Sequence, residues 1–274
     1  MDVEEYFQVS ALESAYPRER WPGLESRVEE NMAVLLDLLD ENDTKGTFFV
    51  LGIVAEGHPD LVRSLVDRGH EVASHGWAHR RVTTLSPDEF RASVRRSREI
   101  LEQLTGRPVH GYRAPSFSIV PGREWALDIL IEEGYRYDSS LFPIRRPGYG
   151  YPDAPTEPTW LERPAGRILE IPPTVLRVPG FRVPAGGGAY FRLLPYSLIR
   201  SALRQQERLR TPGTFYIHPW ELDPAQPRAP VSIPTRIRHY GGLRRTRTRL
   251  ERLLRDFRFQ PVERTLEARC PTPQ

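Results

Sequence analysis

Up to about residue 140, short apolar runs alternate with stretches whose apolar residues recur every three or four positions, the pattern of a parallel sheet with helical crossovers. Val28, Met32, Leu35, Leu36 and Leu39 share one side of a helix predicted over residues 26–41, and the run TFFVL over 47–51 predicts a strand. A helix follows Pro59 with Leu61, Leu65 and Val66 apolar, and residues 70–74 predict a strand that runs directly into His75. Ser86-Pro87-Asp88-Glu89 supplies an N-cap, a first-turn proline and the glutamate of a capping box, so a helix starts there. Phe90, Val94, Leu101 and Leu104 give its buried stripe and Gly106 its end. Strands over 109–113 and 135–139 bracket a helix over 125–133, and the polar motifs fall where strands end.

After Phe142 the texture changes. Seventeen of the 27 prolines lie between Pro143 and Pro234, which interrupts helical periodicity and favours extended loops. Strands are predicted at 168–171 and 214–217, helices at 197–207 and 243–256, and Gly186-Gly187-Gly188 reads as a flexible loop bordering substrate. No repeat or low-complexity linker marks a boundary. The expectation is therefore one elaborated α/β domain over 1–274, its motif-rich part at 1–142 completed by the proline-rich part at 143–274.

Composition narrows the picture only slightly. With 39% hydrophobic and 27% charged residues the chain is an ordinary globular one. The net charge of +3 comes almost wholly from arginine, since Lys45 is the sole lysine; this indicates genome composition rather than a nucleic-acid partner. The run RRTRTRLERLLR over 244–255 reads as the solvated face of a terminal helix. Cys270 stands alone, which excludes an intrachain disulfide and a multi-cysteine metal site. No stretch approaches the roughly 20 apolar residues of a membrane span, and no basic-then-apolar leader is present, so a cytoplasmic location is expected.

Four clusters can carry chemistry. His75 and His79, with three residues between them, bring two imidazoles together on a helical turn or a tight loop, and neutral imidazole suits zinc and similar ions. Structural histidines fit the same spacing, and the protease motif H-E-x-x-H is missing. Asp2-Val3-Glu4-Glu5 puts Asp2 and Glu4 on one side of an extended segment, where one carboxylate can bind a metal and the other take a proton from water. Either Glu4 or Glu5 can be the acidic ligand. Arg113, in GYRAPSF, can pair with a carboxylate and keep it ionised. His218, delivered by the apolar run FYI, can act as a general acid. No G-x-S-x-G turn is present, which disfavours a serine esterase.

In chain order these clusters resemble the polysaccharide deacetylase family, the NodB-like carbohydrate esterases. The segments DVEEYFQV, SHGWAH, GYRAPSF, YDSSLFP and FYIHPWELDP are similar to its branch associated with exosortase and exopolysaccharide gene clusters, and GTFFVLG and GHEVASHG extend the likeness. The resemblance implies an α/β fold of distorted (β/α) barrel type with the site at the carboxyl ends of the strands. It further implies Asp2 as base, Glu4, His75 and His79 as ligands of a divalent ion, zinc by family habit, Arg113 steadying Asp2, and His218 protonating the leaving amine. The expected partner is an N-acetylated polysaccharide, the oxyanion would meet a backbone N–H near Tyr112, and Tyr112, Pro115, Phe117 and Trp220 would contact substrate. Glu170 is a guessed partner for His218, and Asp138 either orients a catalytic group or caps a turn. Only Met1 precedes Asp2, so the first strand is expected to be truncated, by an upstream extension of the reading frame or by loss. Two rival readings are an amidohydrolase of small cyclic amides and a catalytically impaired carbohydrate-binding protein.

Overall fold

The computed structural model describes residues 1–146 and 148–269. The strands β1 (Asp2–Val3), β2 (Thr47–Val50), β3 (Glu71–Ser74), β4 (Gly111–Tyr112), β5 (Tyr137–Asp138), β6 (Thr159–Arg163) and β7 (Gly166–Glu170) form one sheet in the order β1-β2-β3-β4-β5-β7-β6. All its pairings are parallel except β6 with β7. β8 (Val175–Val178) and β9 (Phe181–Pro184) make a separate hairpin.

Helices cover this sheet because each carries an apolar stripe: α1 (Val28–Glu41), α2 (Gly52–Gly57), α3 (Pro59–Asp67), α4 (Pro87–Thr105) and α5 (Trp125–Glu132) are the crossovers between successive parallel strands. The later helices α6 (Gly188–Leu193), α7 (Tyr196–Leu209), α8 (Ile233–Tyr240), α9 (Leu243–Asp256) and α10 (Glu263–Arg269) lie in the proline-rich half and beyond. At α4 the capping box is complete, with Glu89 N–H donating to Ser86 Oγ and Ser86 N–H to Glu89 Oε2, and Gly106 ends the helix in the left-handed region. Along α9, Leu243, Leu250, Leu253 and Leu254 are buried while Arg244, Arg245, Arg247, Arg252 and Arg255 are exposed, the solvated face read from the sequence. Among the described residues no helix is long and apolar enough to cross a membrane. Cys270 lies outside them.

Two expectations are corrected. The segment 214–217 is extended but is not a ladder strand; it makes an isolated bridge, Tyr216 with Gly187, and Ile217 C=O accepts from Asp2 N–H at 3.0 Å. The Thr174 N–H donates to Thr214 C=O, so single bonds rather than a regular ladder connect β7 back to β1. Prolines at 172, 173, 212 and 219 remove the donors and φ freedom that a continuous ladder needs there. The sheet is thus a distorted one whose barrel closure is incomplete. The Gly186–Gly188 turn, in turn, is buried rather than a loose loop: at Gly187 (φ 141°) a Cβ would lie 1.8 Å from Tyr216 O, so only glycine permits this approach.

Behind the strand ends sits a buried acid pair. Asp138 accepts from Ser140 N–H and Oγ–H, and Glu170 Oε1 accepts from Leu141 N–H, while Glu170 Oε2 has no donor. Burial pushes Asp138 up to about 6; burial and the neighbouring Asp138 raise Glu170 well above the ordinary carboxylate range. Glu170 is the member that keeps a proton. Because both folded-state values exceed the unfolded ones, this pair's stabilisation is complete below the unfolded carboxylate pKa and is lost as pH rises through about 6 and beyond. Glu170→Gln, which keeps a donor at every pH, should gain stability relative to the wild type in denaturant melts as pH is raised across that window. Parallel stability curves would contradict the shared proton.

Candidate active site

β3 ends at Ser74 and hands the chain to a loop, His75 to His79, of which the two end residues are buried. It is a tight loop and not a helical turn: Gly76 and His79 both have positive φ, 78° and 51°. The Gly76 and Trp77 carbonyls accept from Gly52 and Ile53 N–H, Trp77 N–H donates to Ser93 Oγ, and Arg18 donates to the Ala78 and His79 carbonyls. Ser116 and Phe117, across the site, are also left-handed at φ 56° and 52°. Non-glycine residues held there cost of order 1 kcal/mol or more each and persist only where the surroundings over-determine them.

The acidic segment divides by alternation. Val3 packs into the main core while Asp2 and Glu4 turn to the site. Glu5 turns away and caps α1: it accepts from Ser26 Oγ and from the Arg27 and Val28 N–H groups. Arg113, 1% exposed, donates from Nη1 to Asp2 Oδ1 at 2.6 Å and from Nε and Nη2 to Ser139. Burial alone would raise the Asp2 carboxyl, but Arg113, then His75 and His218, outweigh it and hold Asp2 below the usual carboxylate range. Glu4 is likewise raised by burial and brought down, chiefly by His79, to about 2.

On the opposite wall, His218 Nε2 lies 3.8 Å from Asp2 Oδ2 and 3.7 Å from Glu4 Oε1. Its Nδ1 donates to Glu221 Oε1 at 2.7 Å, and Arg192 Nε donates to the other oxygen at 2.5 Å. Burial opposes the charged imidazole, yet the Glu221 bond, with Glu4 and Asp2 nearby, raises His218 to about 9. The partner of His218 is therefore Glu221 and not Glu170, which is sequestered with Asp138. The signal was present in the sequence: His218-Pro219-Trp220-Glu221 has the spacing of a capping box, and Glu221 N3 folds back onto the His218 N–H.

The expected substrate contacts fare unequally. Phe117 and Trp220 line the cleft of about 300 Å³ that contains Asp2, Glu4, His75, His79 and His218. Trp220 also stacks between His218 and His239 and donates Nε1–H to Glu4 Oε1 at 3.0 Å. Tyr112 faces away, into the core against Phe90 and Tyr135, and Pro115 is buried off the cleft, whereas its neighbour Ser116 lines it. An oxyanion donor near Tyr112 is not at hand either, since Arg113 N–H is bound to Ser74 O and Ala114 N–H to Ser140 Oγ. Cleft residues that the sequence reading missed include Ser10, Arg81, Tyr149 and Arg238.

The donor set fits a divalent cation. Glu4, His75 and His79 offer ligand atoms all within 4.8 Å of one another. His75 Nδ1 must donate, because its partner at 2.7 Å is the Arg113 carbonyl; Nε2 is left with its lone pair toward the site. Burial pulls His75 down to about 4, so the ring is neutral near pH 7, as a ligand must be. Glu4 Oε2 is 2.7 Å from His79 Nε2 and is buried without a hydrogen-bond partner.

Residues 22–128 match the family described as polysaccharide deacetylase, and residues 139–267 match a domain of unknown function, DUF3473. The chain is 32% identical over 95 residues to a peptidoglycan-N-acetylglucosamine deacetylase of Bacillus cereus, covering 34% of each chain. It is 37% identical over 93 residues to a chitin deacetylase of Colletotrichum lindemuthianum, covering 32% of this chain and 38% of that one. The chain thus spans about a third of the length of these curated relatives. In fold it matches a Mycobacterium smegmatis crystal structure assigned as a polysaccharide deacetylase, with TM-score 0.65 and 21% identity over 100% of this chain and 90% of that one. It also matches the PuuE allantoinase, with TM-score 0.60 and 20% identity over 89% and 74% of the two chains. The segment that carries His75, His79 and Arg113 is thus the part of the chain that matches the polysaccharide deacetylase family.

Proposed function

We propose that the protein hydrolyses N-acetyl groups on an amino-sugar polysaccharide and releases acetate, with Glu4, His75 and His79 holding a divalent ion. The observation that carries this reading is the convergence of those three donors in one cleft with a carboxylate, Asp2, and an imidazole, His218, beside them. Two imidazoles and a carboxylate suit zinc. When bound, such an ion acidifies water and stabilises the developing oxyanion. Asp2, kept ionised by Arg113, takes the water proton as the oxygen attacks the acetyl carbonyl. His218, kept protonated by Glu221, gives a proton to the amide nitrogen as the C–N bond breaks, so acetate and a free amine leave. Phe117 and Trp220 bound the acetyl or sugar with apolar surface.

A small cyclic amide is the second reading, supported by the allantoinase likeness in fold alone. The cleft favours a chain substrate, because the exposed Arg238 and half-buried Arg81 stand at its margin and do not seal it. The motif wording shared with exosortase-associated deacetylases supports a role in exopolysaccharide synthesis.

Three outcomes are expected. In metal analysis of purified protein, Glu4→Gln and His79→Ala lose the ion, whereas Glu5→Gln keeps it and loses about 1–2 kcal/mol of stability by weakening the α1 cap; the reverse pattern would reassign the acidic ligand. On N-acetylhexosamine oligomers the wild type releases acetate, and chelation or His75→Ala abolishes it, while Asp2→Asn lowers kcat by roughly 10²–10⁴. Metal binding with no acetate from any such oligomer would overturn the substrate assignment. The third outcome concerns pH. His218 works as the protonated form, so activity is present below its raised pKa and lost as pH rises through it; a cation on Glu4 sets that limb below about 9. Glu221→Gln removes the bond that raises the pKa and shifts the alkaline limb of kcat to lower pH; an unmoved limb would exclude the Glu221–His218 pair from acid catalysis.

A further inference from the structure

Beyond the catalytic set, the charged residues lining the cleft are all cationic. Asp2 and Glu4 are engaged at the centre, and Arg192 is consumed by Glu221, by the Gly241 carbonyl and by the Arg238 carbonyl. That leaves Arg81 and Arg238, with no further carboxylate in the lining. Among the described residues Arg238 has no carboxylate within 4.0 Å, and Arg81 has only Glu13, at 3.9 Å. A cleft for a neutral glycan has no need of one guanidinium without a carboxylate and a second with only a distant one.

Arg238 is also built in rather than loosely exposed. Its carbonyl is held by Arg192 Nη2 at 2.9 Å, the same guanidinium that orients Glu221, and the next residue, His239, is buried in the stack on Trp220. Its own head donates to Tyr149 Oη at 3.1 Å and lies 5.2 Å from that ring, while Tyr149 Oη pairs with Tyr190 Oη at 2.6 Å. The backbone is thus pinned on both sides by the residues that position the acid, and the side chain is laid along an aromatic wall of the cleft. A guanidinium so placed presents a planar fork that suits a carboxylate or sulfate.

Resting on the deacetylase reading for the identity of the substrate as a glycan, we propose that the cleft selects an acidic polymer, in which an anionic sugar next to the N-acetylated residue is read by Arg238 and Arg81. A carboxylate on a uronic acid and a sulfate ester share this chemistry.

The test is equilibrium binding to Asp2→Asn protein, or to wild-type protein stripped of metal by chelation should that variant not fold. The probes are three tetrasaccharides: alternating N-acetylglucosamine and glucuronate, a sulfated N-acetylhexosamine oligomer, and neutral tetra-N-acetylchitotetraose. The expected result is roughly tenfold or tighter binding of an anionic oligomer over the neutral one at low salt, falling as salt is raised. Arg238→Gln and Arg81→Gln should each shrink that preference, and Arg107→Gln, which removes an equal charge at an exposed site off the cleft, should preserve it. Whichever of the uronate and sulfate probes binds tighter identifies the anion. Equal affinity for all three oligomers, or a preference that survives in Arg238→Gln and Arg81→Gln, overturns the proposal. Acetate release from each of the three oligomers by metal-loaded wild type tests the underlying activity separately, so an anion preference with acetate released from none of them would refute deacetylation and leave the anion site standing.

Discussion

A buried guanidinium must find protein acceptors for its charge and its five N–H donors, and Arg113 does so by joining strands that the chain keeps far apart. Its head binds Asp2 on β1 and Ser139 just beyond β5, and its face covers the Phe49 ring on β2 at 4.1 Å. Its backbone N–H binds Ser74 at the end of β3, and its carbonyl fixes the tautomer of His75. One residue therefore sets the ionisation of Asp2 and the orientation of the His75 imidazole. Removing a partner from a pair buried this deeply costs about 3–5 kcal/mol in general, so the site and the sheet's stability are tied to the same contact.

Four buried carboxyl groups show how environment divides one chemistry into two uses. Asp2 and Glu4 face Arg113 and three histidines and stay ionised. Asp138 and Glu170 face each other and backbone donors, and burial wins. The ionised pair is fit for base and ligand duty; the pair that keeps a proton on Glu170 ties the turn after β5 to β7 beneath Arg113's anchor at Ser139. On the other wall Arg192 plays the part that Arg113 plays here: it clamps Glu221, which raises His218, and through its bond to the Arg238 carbonyl it connects the acid to the rim of the cleft.

The elements most legible in the sequence were those whose information is local. The capping box at Ser86, the helix ending at Gly106 and the span of α9 need only periodicity and end signals, and α4 and α9 stand where those signals put them. The segment 214–217 was misjudged because its strand-like composition carries no trace of the prolines' effect on a ladder that must form with distant partners. Glu170 was misassigned for a related reason: a glutamate at a strand end can face several partners, and only the fold reveals that Asp138 is opposite. Tyr112 illustrates the parity problem, since the residue beside Arg113 on the strand points to the other face. The alternation of Asp2, Val3 and Glu4 was readable, but the diversion of Glu5 to the α1 terminus depended on residues more than 20 positions away.

We propose that Arg113 holds Asp2 as an ionised base. The direct measurement is the acid limb of the pH profile of kcat/KM for acetate release, in wild type and in Arg113→Gln. The account predicts a wild-type limb below the ordinary carboxylate range and an upward shift of at least about one unit in the variant, because burial is then left without its counter-charge. An acid limb at the same pH in both proteins would contradict it.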